Sequence, residues 1–193
     1  MSWSFNIPFN VETYSKFPYK RLCEWVKFTS RDYIQFPYEY TVDSSFEFDG
    51  ACGFMYNYCE IFGAQDQITF RPVEGNYQAV FMGGYFLSGF AADTERHLFK
   101  LSWAGSNIDG TFAANTATSF RYPKDYIRIG DGGNNRGSNP KVWSFKVFEA
   151  ATQVFNFVPC VIDQDGVEVG ALYESINGTI HTPVNGHPMT FAQ

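Results

Sequence analysis

Glu60 and Asp66 are the first residues to consider, because they place two carboxylates in one short stretch of the chain. Retaining hydrolysis of a glycosidic bond needs two carboxyl groups about 5 Å apart. In a strand, alternate side chains share a face, so acids at positions 62 and 64 would complete a set beside Glu60. Phe62 and Ala64 stand there instead. We therefore predict that this chain is not an enzyme.

Serine and cysteine nucleophiles are no better supported. The chain lacks the G-x-S-x-G pattern of a nucleophile elbow, and Cys160 lies in a segment typical of a packed strand end. The cysteines are Cys23, Cys52, Cys59 and Cys160. They form no CxxC pair, and His97, His181 and His187 do not cluster with them, so no zinc site is indicated. We expect buried thiols that act as small apolar side chains.

Oxygen ligands for Ca²⁺ occur at two places. Asp131, Asn134 and Asn135 share a glycine-rich stretch, and Asp163 and Asp165 lie two residues apart. Ca²⁺ takes about six to eight oxygens, usually with several carboxylates among them, so one carboxylate and two amides are a poor set. The second pair is typical of a tight turn between strands. We predict no bound metal and no cofactor.

Sugar binding is plausible by analogy of fold, through the family resemblance described below. It needs an exposed aromatic ring for the apolar face of the sugar and polar side chains for its hydroxyls. Residues 130–137 are glycine-rich and indicate a surface loop, the kind of segment that carries binding residues. We predict ligand contacts at Asn134, Asn135 and Arg136, with Tyr85 as the aromatic candidate.

Strands must position these residues. Residues 141–149 alternate, with Trp143 and Phe145 on one face, and residues 97–103 alternate in the same way. Residues 52–62 are apolar on both faces, which is typical of a strand covered on both sides. Shorter candidate strands are residues 33–40, 45–48, 67–71, 77–81, 85–90, 126–129, 153–158 and 167–173.

Turn signals separate these candidates. The dipeptides Asp49-Gly50, Asp109-Gly110, Asp165-Gly166 and Asn177-Gly178 tolerate the positive φ of hairpin turns. Many short strands with regular turn signals indicate an antiparallel sandwich or barrel. Helical spacing is confined to residues 20–28, for which we predict one or two turns of helix.

Composition excludes several classes of protein. The chain has 193 residues, a net charge of −6 and 19% aromatic residues. Such an aromatic chain can bury enough apolar surface to fold, and without a basic run it lacks the charge clusters of non-specific nucleic-acid binding. No segment approaches the roughly 18 apolar residues of a membrane span. The first residues lack the basic and apolar regions of a secretory signal, so we expect synthesis in a cytoplasm.

The order of several motifs carries a family resemblance. The motifs are Tyr19-Lys-Arg-Leu-Cys-Glu-Trp-Val, Ile61-Phe-Gly-Ala, Asn107-Ile-Asp-Gly, Lys141-Val-Trp-Ser-Phe-Lys-Val-Phe, Phe157-Val-Pro-Cys and Gly170-Ala-Leu-Tyr-Glu-Ser-Ile-Asn-Gly. From about Tyr19 to Ala192 the chain resembles the concanavalin A-like, laminin-G-like jelly-roll domains of gut bacteria and their phages. The resemblance implies an all-β, antiparallel two-sheet jelly-roll sandwich over residues 18–193.

Residues 1–17 precede that domain as a short extended N-terminal arm. Trp3, Phe5, Ile7 and Phe9 alternate with polar residues and Pro8, which indicates an extended segment with one apolar face. Such an arm covers its own sandwich or docks on another subunit. We predict partner docking at these four apolar residues.

The resemblance and the arm together imply a function without chemistry. We expect a structural or adhesion protein of a bacteriophage virion, as a capsid decoration, head-fibre or tail-associated protein. Its partners would be other virion proteins within an oligomeric assembly, and glycans of the host or of mucus, with no nucleic acid or membrane. The alternatives are a bacterial carbohydrate-binding module or cell-surface adhesin and, against the missing acids, a glycoside hydrolase of the same fold.

Overall fold

Two antiparallel β-sheets make up the regular structure of the chain. The computed structural model describes residues 17–55, 57–64, 67–82, 84–116, 126–131 and 137–193, and these contain no helix. In chain order the strands are β1 (Arg21–Leu22), β2 (Val26–Lys27), β3 (Ile34–Pro37), β4 (Ser44–Ala51), β5 (Phe62–Gly63), β6 (Ile68–Val73), β7 (Asn76–Phe81), β8 (Gly84–Ala91), β9 (Arg96–Ser102), β10 (Gly105–Ile108), β11 (Thr111–Ala114), β12 (Tyr126–Ile129), β13 (Lys141–Glu149), β14 (Thr152–Gln164), β15 (Val167–Glu174), β16 (Thr179–His181) and β17 (Thr190–Phe191).

The strand order joins parts of the chain that are distant in sequence. The larger sheet runs β11-β10-β9-β4-β13-β14-β15-β16, with β1 paired to β14 and β2 paired to both β13 and β17. The smaller sheet runs β3-β12-β5-β6-β7-β8. The two sheets form the jelly-roll-like β-sandwich that the sequence predicted, so the fold class is confirmed.

Phenylalanines fill the space between the sheets. Because side chains alternate along a strand, Phe46 and Phe48 of β4 both turn inward and are fully buried. The ring of Phe145 lies 5.1 Å from that of Phe62 on the opposite sheet. Each such side chain contributes about 2 kcal/mol when it leaves water. The high aromatic content of the sequence therefore belongs largely to the core.

Several predicted elements are confirmed. The predicted strand at residues 141–149 is β13, and β9 begins one residue before its predicted start. The dipeptides at 109–110 and 165–166 form turns in which Asp109 and Asp165 have φ of 48° and 54°. A third turn, at residues 175–178, includes the predicted dipeptide at 177–178.

The helix predicted at residues 20–28 is wrong. Two short strands occupy this segment, and their backbones bond to neighbours far along the chain, as in the pairs Arg21–Val161 and Val26–Val142. The helical spacing of apolar residues was misleading because Leu22 is 54% exposed. Sheet pairing therefore outweighs a weak local pattern.

Two strand-level predictions also need correction. Residues 52–62 do not form one strand, because only Phe62 enters a strand and the preceding residues follow an irregular path. Cys59 and Ile61 of this segment nonetheless face the core and are fully buried. The Asp49-Gly50 dipeptide is not a turn but part of β4. A Cβ on Gly50 would lie 2.6 Å from the Lys141 carbonyl oxygen, so close strand packing explains this glycine.

Candidate functional site

The outer face of the smaller sheet carries a cluster of charged and aromatic side chains around Arg71. Along β6, Ile68 and Phe70 turn into the core, so Arg71 turns to the opposite face. The β6–β7 hairpin sets Arg71 directly opposite Gln78. The Arg71 Nε donates a hydrogen bond to Gln78 Oε1 at 3.0 Å, which fixes the plane of the guanidinium.

Two tyrosine rings flank that guanidinium. The central carbon of the Arg71 guanidinium lies 5.0 Å from the centroid of Tyr58 and 5.2 Å from that of Tyr85. Cation–π attraction at this distance holds a ring in place. Arg71 itself is only 5% exposed, whereas both tyrosines are 42% exposed. The arginine therefore supports two rings that present part of their surface to solvent.

A buried carboxylate lies beside the arginine. Glu60 is fully buried, and its Oε1 lies 4.0 Å from Nη1 of Arg71. A buried charge is stable only when an opposite charge or hydrogen bonds compensate it. Glu60 also forms a parallel bridge with Gly137, and its carbonyl accepts a hydrogen bond from the Ser138 N–H at 3.1 Å.

An irregular segment alongside β6 positions Tyr58. Its N–H donates to the Pro72 carbonyl at 2.9 Å, and its φ of 68° turns the chain sharply. On either side of Tyr58 in the sequence, the thiols of Cys52 and Cys59 lie 3.8 Å apart and both donate to the Phe54 carbonyl. These contacts bring the two cysteines together and help to place Tyr58 beside Arg71.

Two of the buried cysteines show raised thiol pKa values. No disulfide joins Cys23, Cys52, Cys59 and Cys160. The hydrogen bond with Cys59, together with burial, raises the pKa of Cys52 far above the ordinary thiol range. Burial likewise raises the pKa of Cys160 to about 12. Both thiols stay protonated near neutral pH.

Tyr85 reaches the cluster from β8. It lies opposite Val80 of β7, and Leu87 lies opposite Gln78, so both β8 side chains share the outer face with Arg71. Leu87 is exposed as well. Two rings, one exposed leucine and the amide of Gln78 thus form an apolar platform with polar groups beside it. Such a surface can stack a sugar ring and hydrogen-bond its hydroxyls.

The structure places the predicted site residues unevenly. Tyr85, the predicted aromatic contact, is exposed and part of the Arg71 cluster. The other predicted contacts lie outside the described residues. They are Asn134, Asn135 and Arg136 and the arm residues Trp3, Phe5, Ile7 and Phe9. Gly137, which follows Arg136 in sequence, bridges to Glu60 and so lies at the edge of the cluster.

Sequence reasoning missed Arg71, Tyr58 and Gln78. A signal for one pair was present, because the predicted strands at 67–71 and 77–81 flank Glu74-Gly75 and would pair as a hairpin. Such a hairpin sets Arg71 opposite Gln78. Tyr58 had no comparable signal, because an irregular segment brings it to the arginine.

A second ionic cluster, around His97, joins three segments at the end of the sandwich. His97 Nε2 lies 2.8 Å from an Asp93 carboxylate oxygen and Nδ1 lies 2.6 Å from one of Asp109. Burial opposes the charged ring, but the hydrogen bonds to Asp109 and Asp93 outweigh it and raise the pKa of His97. The His97 ring packs on Phe90 and Phe99, so this cluster links parts of the fold to one another.

The described part of the chain contains no group of three or more histidine, cysteine, aspartate or glutamate side chains arranged to hold a metal ion. It also contains no helix that is long and apolar enough to cross a membrane.

Comparison with known proteins adds no relative. No protein-family model, no curated protein and no solved structure matches this chain.

Proposed function

We propose that this protein is a non-catalytic adhesion protein that binds glycans through the outer face of its smaller sheet. One observation carries the proposal: Tyr58 and Tyr85 present exposed rings that a buried arginine holds in place. A preordered ring loses little conformational freedom on binding, which favours recognition of a weakly interacting sugar.

The surroundings of Glu60 support binding over hydrolysis. This carboxylate is fully buried beside Arg71, and Phe62, which follows two residues later, is a core residue. A hydrolytic acid must reach the glycosidic oxygen, and a carboxylate inside the protein does not.

A glycan array tests the proposed function. We expect wild-type protein to bind at least one glycan, and Tyr85→Ala and Tyr58→Ala to weaken that binding about fivefold to tenfold, since each removes one stacking surface. Tyr85→Phe should retain it. Phe112→Ala is the matched control, because Phe112 is 60% exposed on β11 of the other sheet. Equal binding by wild type and both tyrosine variants would overturn the assignment.

The setting that we propose for this adhesion is a bacteriophage virion. The resemblance to the concanavalin A-like domains of gut bacteria and their phages supports it, as does the apolar stripe of Trp3, Phe5, Ile7 and Phe9. In this setting the arm attaches the protein to other virion proteins while the sheet face contacts glycans.

Deletion of residues 1–12 tests the setting separately. We expect particles assembled with the shortened chain to lack the protein, while the purified chain keeps its fold by circular dichroism and its glycan binding. Normal incorporation into particles would overturn the virion setting and favour the alternative of a bacterial carbohydrate-binding module.

A further inference from the structure

A second arginine on the same sheet face has partners of the same residue types. Arg128 on β12 lies opposite Gln35 on β3, and its Nε donates to Gln35 Oε1 at 2.9 Å. Its guanidinium carbon lies 4.1 Å from the ring centroid of Tyr33 and 5.2 Å from that of Tyr126. The side chains that surround Arg71 are thus repeated in type around Arg128.

The two arginines occupy one face of the sheet. Arg128 lies opposite Gly63 of β5, and Gly63 lies opposite Thr69 of β6. Arg71 follows Thr69 by two residues along β6. The two arginines are therefore separated by two strand spacings across the sheet and by two residues along a strand, which together give about 12 Å. The Arg128 cluster is therefore distinct from the Arg71 cluster.

The charge around Arg128 is different. Arg128 is only partly buried, and no carboxylate of the described residues forms an ion pair with it. Its hydrogen bond to Gln35 uses Nε, whereas a guanidinium offers two further nitrogens, each with two N–H donors. An arginine held in one plane between two rings, with no ion pair to a carboxylate of the described residues, is suited to an anion from outside.

A shallow groove of about 250 Å³ lies beside two partners of Arg128. It is lined by Gln35, Phe36, Pro37 and Tyr126, and of these Gln35 and Tyr126 contact Arg128 directly. The groove therefore offers apolar surface and an amide next to the residues that hold the guanidinium. A ligand that spans the groove and the guanidinium combines an anion with a compact, partly apolar body.

We propose that Arg128 binds the carboxylate of an acidic sugar and forms a second glycan subsite. This inference rests on the proposed function, because it names the class of glycan that the sheet face takes. A planar guanidinium matches a carboxylate with two parallel hydrogen bonds. Because the chain carries a net charge of −6, local geometry, not long-range attraction, must select the anion.

Calorimetry with matched oligosaccharides tests this subsite. The probes are a galacturonic acid oligomer and the galactose oligomer of equal length, which differ in the carboxylates. We expect the acidic oligomer to bind wild type more tightly, and Arg128→Met to remove that preference through an affinity loss of about tenfold. Arg128→Lys should lose most of the preference too, because an ammonium cannot form the two parallel bonds.

Arg96→Met is the matched control. Arg96 also lies over an aromatic ring, that of Trp143, but it already holds the Asp49 carboxylate with two hydrogen bonds of 2.7 Å. Its substitution should leave the preference for the acidic oligomer unchanged. If Arg96→Met abolished the preference as fully as Arg128→Met, the preference would come from general surface charge, and the proposed subsite would be overturned.

The outcomes separate the two proposals. Equal binding of both oligomers that still depends on Tyr85 would overturn the acidic subsite and leave the proposed function standing. Absence of binding to either oligomer and to every glycan on the array would overturn both. Binding of a sulfated galactose oligomer that depends on Arg128, without binding of the galacturonic acid oligomer, would contradict the carboxylate assignment.

Discussion

The clusters of Arg71 and Arg128 use the same parts in different surroundings. In both, Nε donates to a glutamine directly opposite on the next strand, and two tyrosine rings flank the guanidinium. Arg71 is buried beside the carboxylate of Glu60, whereas Arg128 is partly exposed and forms no ion pair with a described carboxylate.

The comparison indicates that burial and a neighbouring counter-charge, more than the types of surrounding side chains, decide the role of an arginine. A buried, compensated guanidinium stabilises the fold and supports its rings. A partly exposed guanidinium with no ion pair to a described carboxylate keeps hydrogen-bonding groups for a ligand. The same pattern therefore presents aromatic surface at one place and positive charge at the other.

The largest expected effect comes from Arg71→Met. This substitution leaves the Glu60 carboxylate buried without its guanidinium neighbour, so we expect the free energy of unfolding to fall by about 3 kcal/mol. The same change at Arg128 should cost less than about 0.5 kcal/mol, because it removes a partly exposed charge. Urea denaturation of both variants measures the two values. Equal losses would show that the clusters do not differ in the way described.

The second prediction concerns the pairing between Glu60 and Arg71. Glu60→Gln in the Arg71→Met background removes the uncompensated charge, so the double variant should be more stable than Arg71→Met alone by about 1–2 kcal/mol. A double-mutant cycle from urea denaturation gives this coupling. If the effects of the two substitutions were strictly additive, the result would contradict a stabilising interaction between Glu60 and Arg71.

The glutamines provide a smaller and more selective test. Gln78→Ala should lower stability by about 1 kcal/mol, since it removes a hydrogen bond to a buried charged group. Gln35→Ala should leave stability within about 0.5 kcal/mol but weaken binding of the galacturonic acid oligomer about threefold, because Arg128 loses its fixed orientation. Denaturation and calorimetry on each variant show whether the two effects separate.

The smallest effect is one of pH, and His97 produces it. The pKa of His97 is higher folded than unfolded, so its contribution is complete below about pH 6.5 and disappears as the pH rises through the folded value.

Asp109 sets the lower limit of that window. Burial opposes its charge, but hydrogen bonds from the Leu98 N–H and from His97 lower the pKa of Asp109, so its contribution is present above about pH 4 and is lost as the pH falls through the folded value. The stability difference between wild type and His97→Gln should therefore be greatest at about pH 5–6 and shrink toward about pH 8. A constant difference across this range would remove His97 as the source.

Local patterns predicted much of the fold. The strand β13 and the turns around Asp109 and Asp165 depend on alternation and dipeptides that act over a few residues. The segment 20–28 failed because β1 and β2 exist only through pairing with β14 and β13, which lie more than a hundred residues further along the chain. No local pattern reports such a pairing.

The candidate site could be predicted from the sequence only in part, for the same reason. Tyr85 was named because it is an aromatic residue in a predicted strand, and Arg71 could have been found from its hairpin with Gln78. Glu60 reaches Arg71 through an irregular segment, and Gln35 reaches Arg128 across the β3–β12 pair. These contacts arise from the tertiary fold, so spacing along the chain does not reveal them.

The position of β2 between β13 and β17 has a consequence for how the chain is made. Val26 pairs with both Val142 and Phe191, so this strand has no paired neighbour in the larger sheet until β13, more than a hundred residues further along, has been synthesised. At about 5–20 residues per second, the delay is on the order of ten seconds. During that interval the early strands expose unpaired edges, and a nascent chain of this topology depends on its surroundings to avoid aggregation.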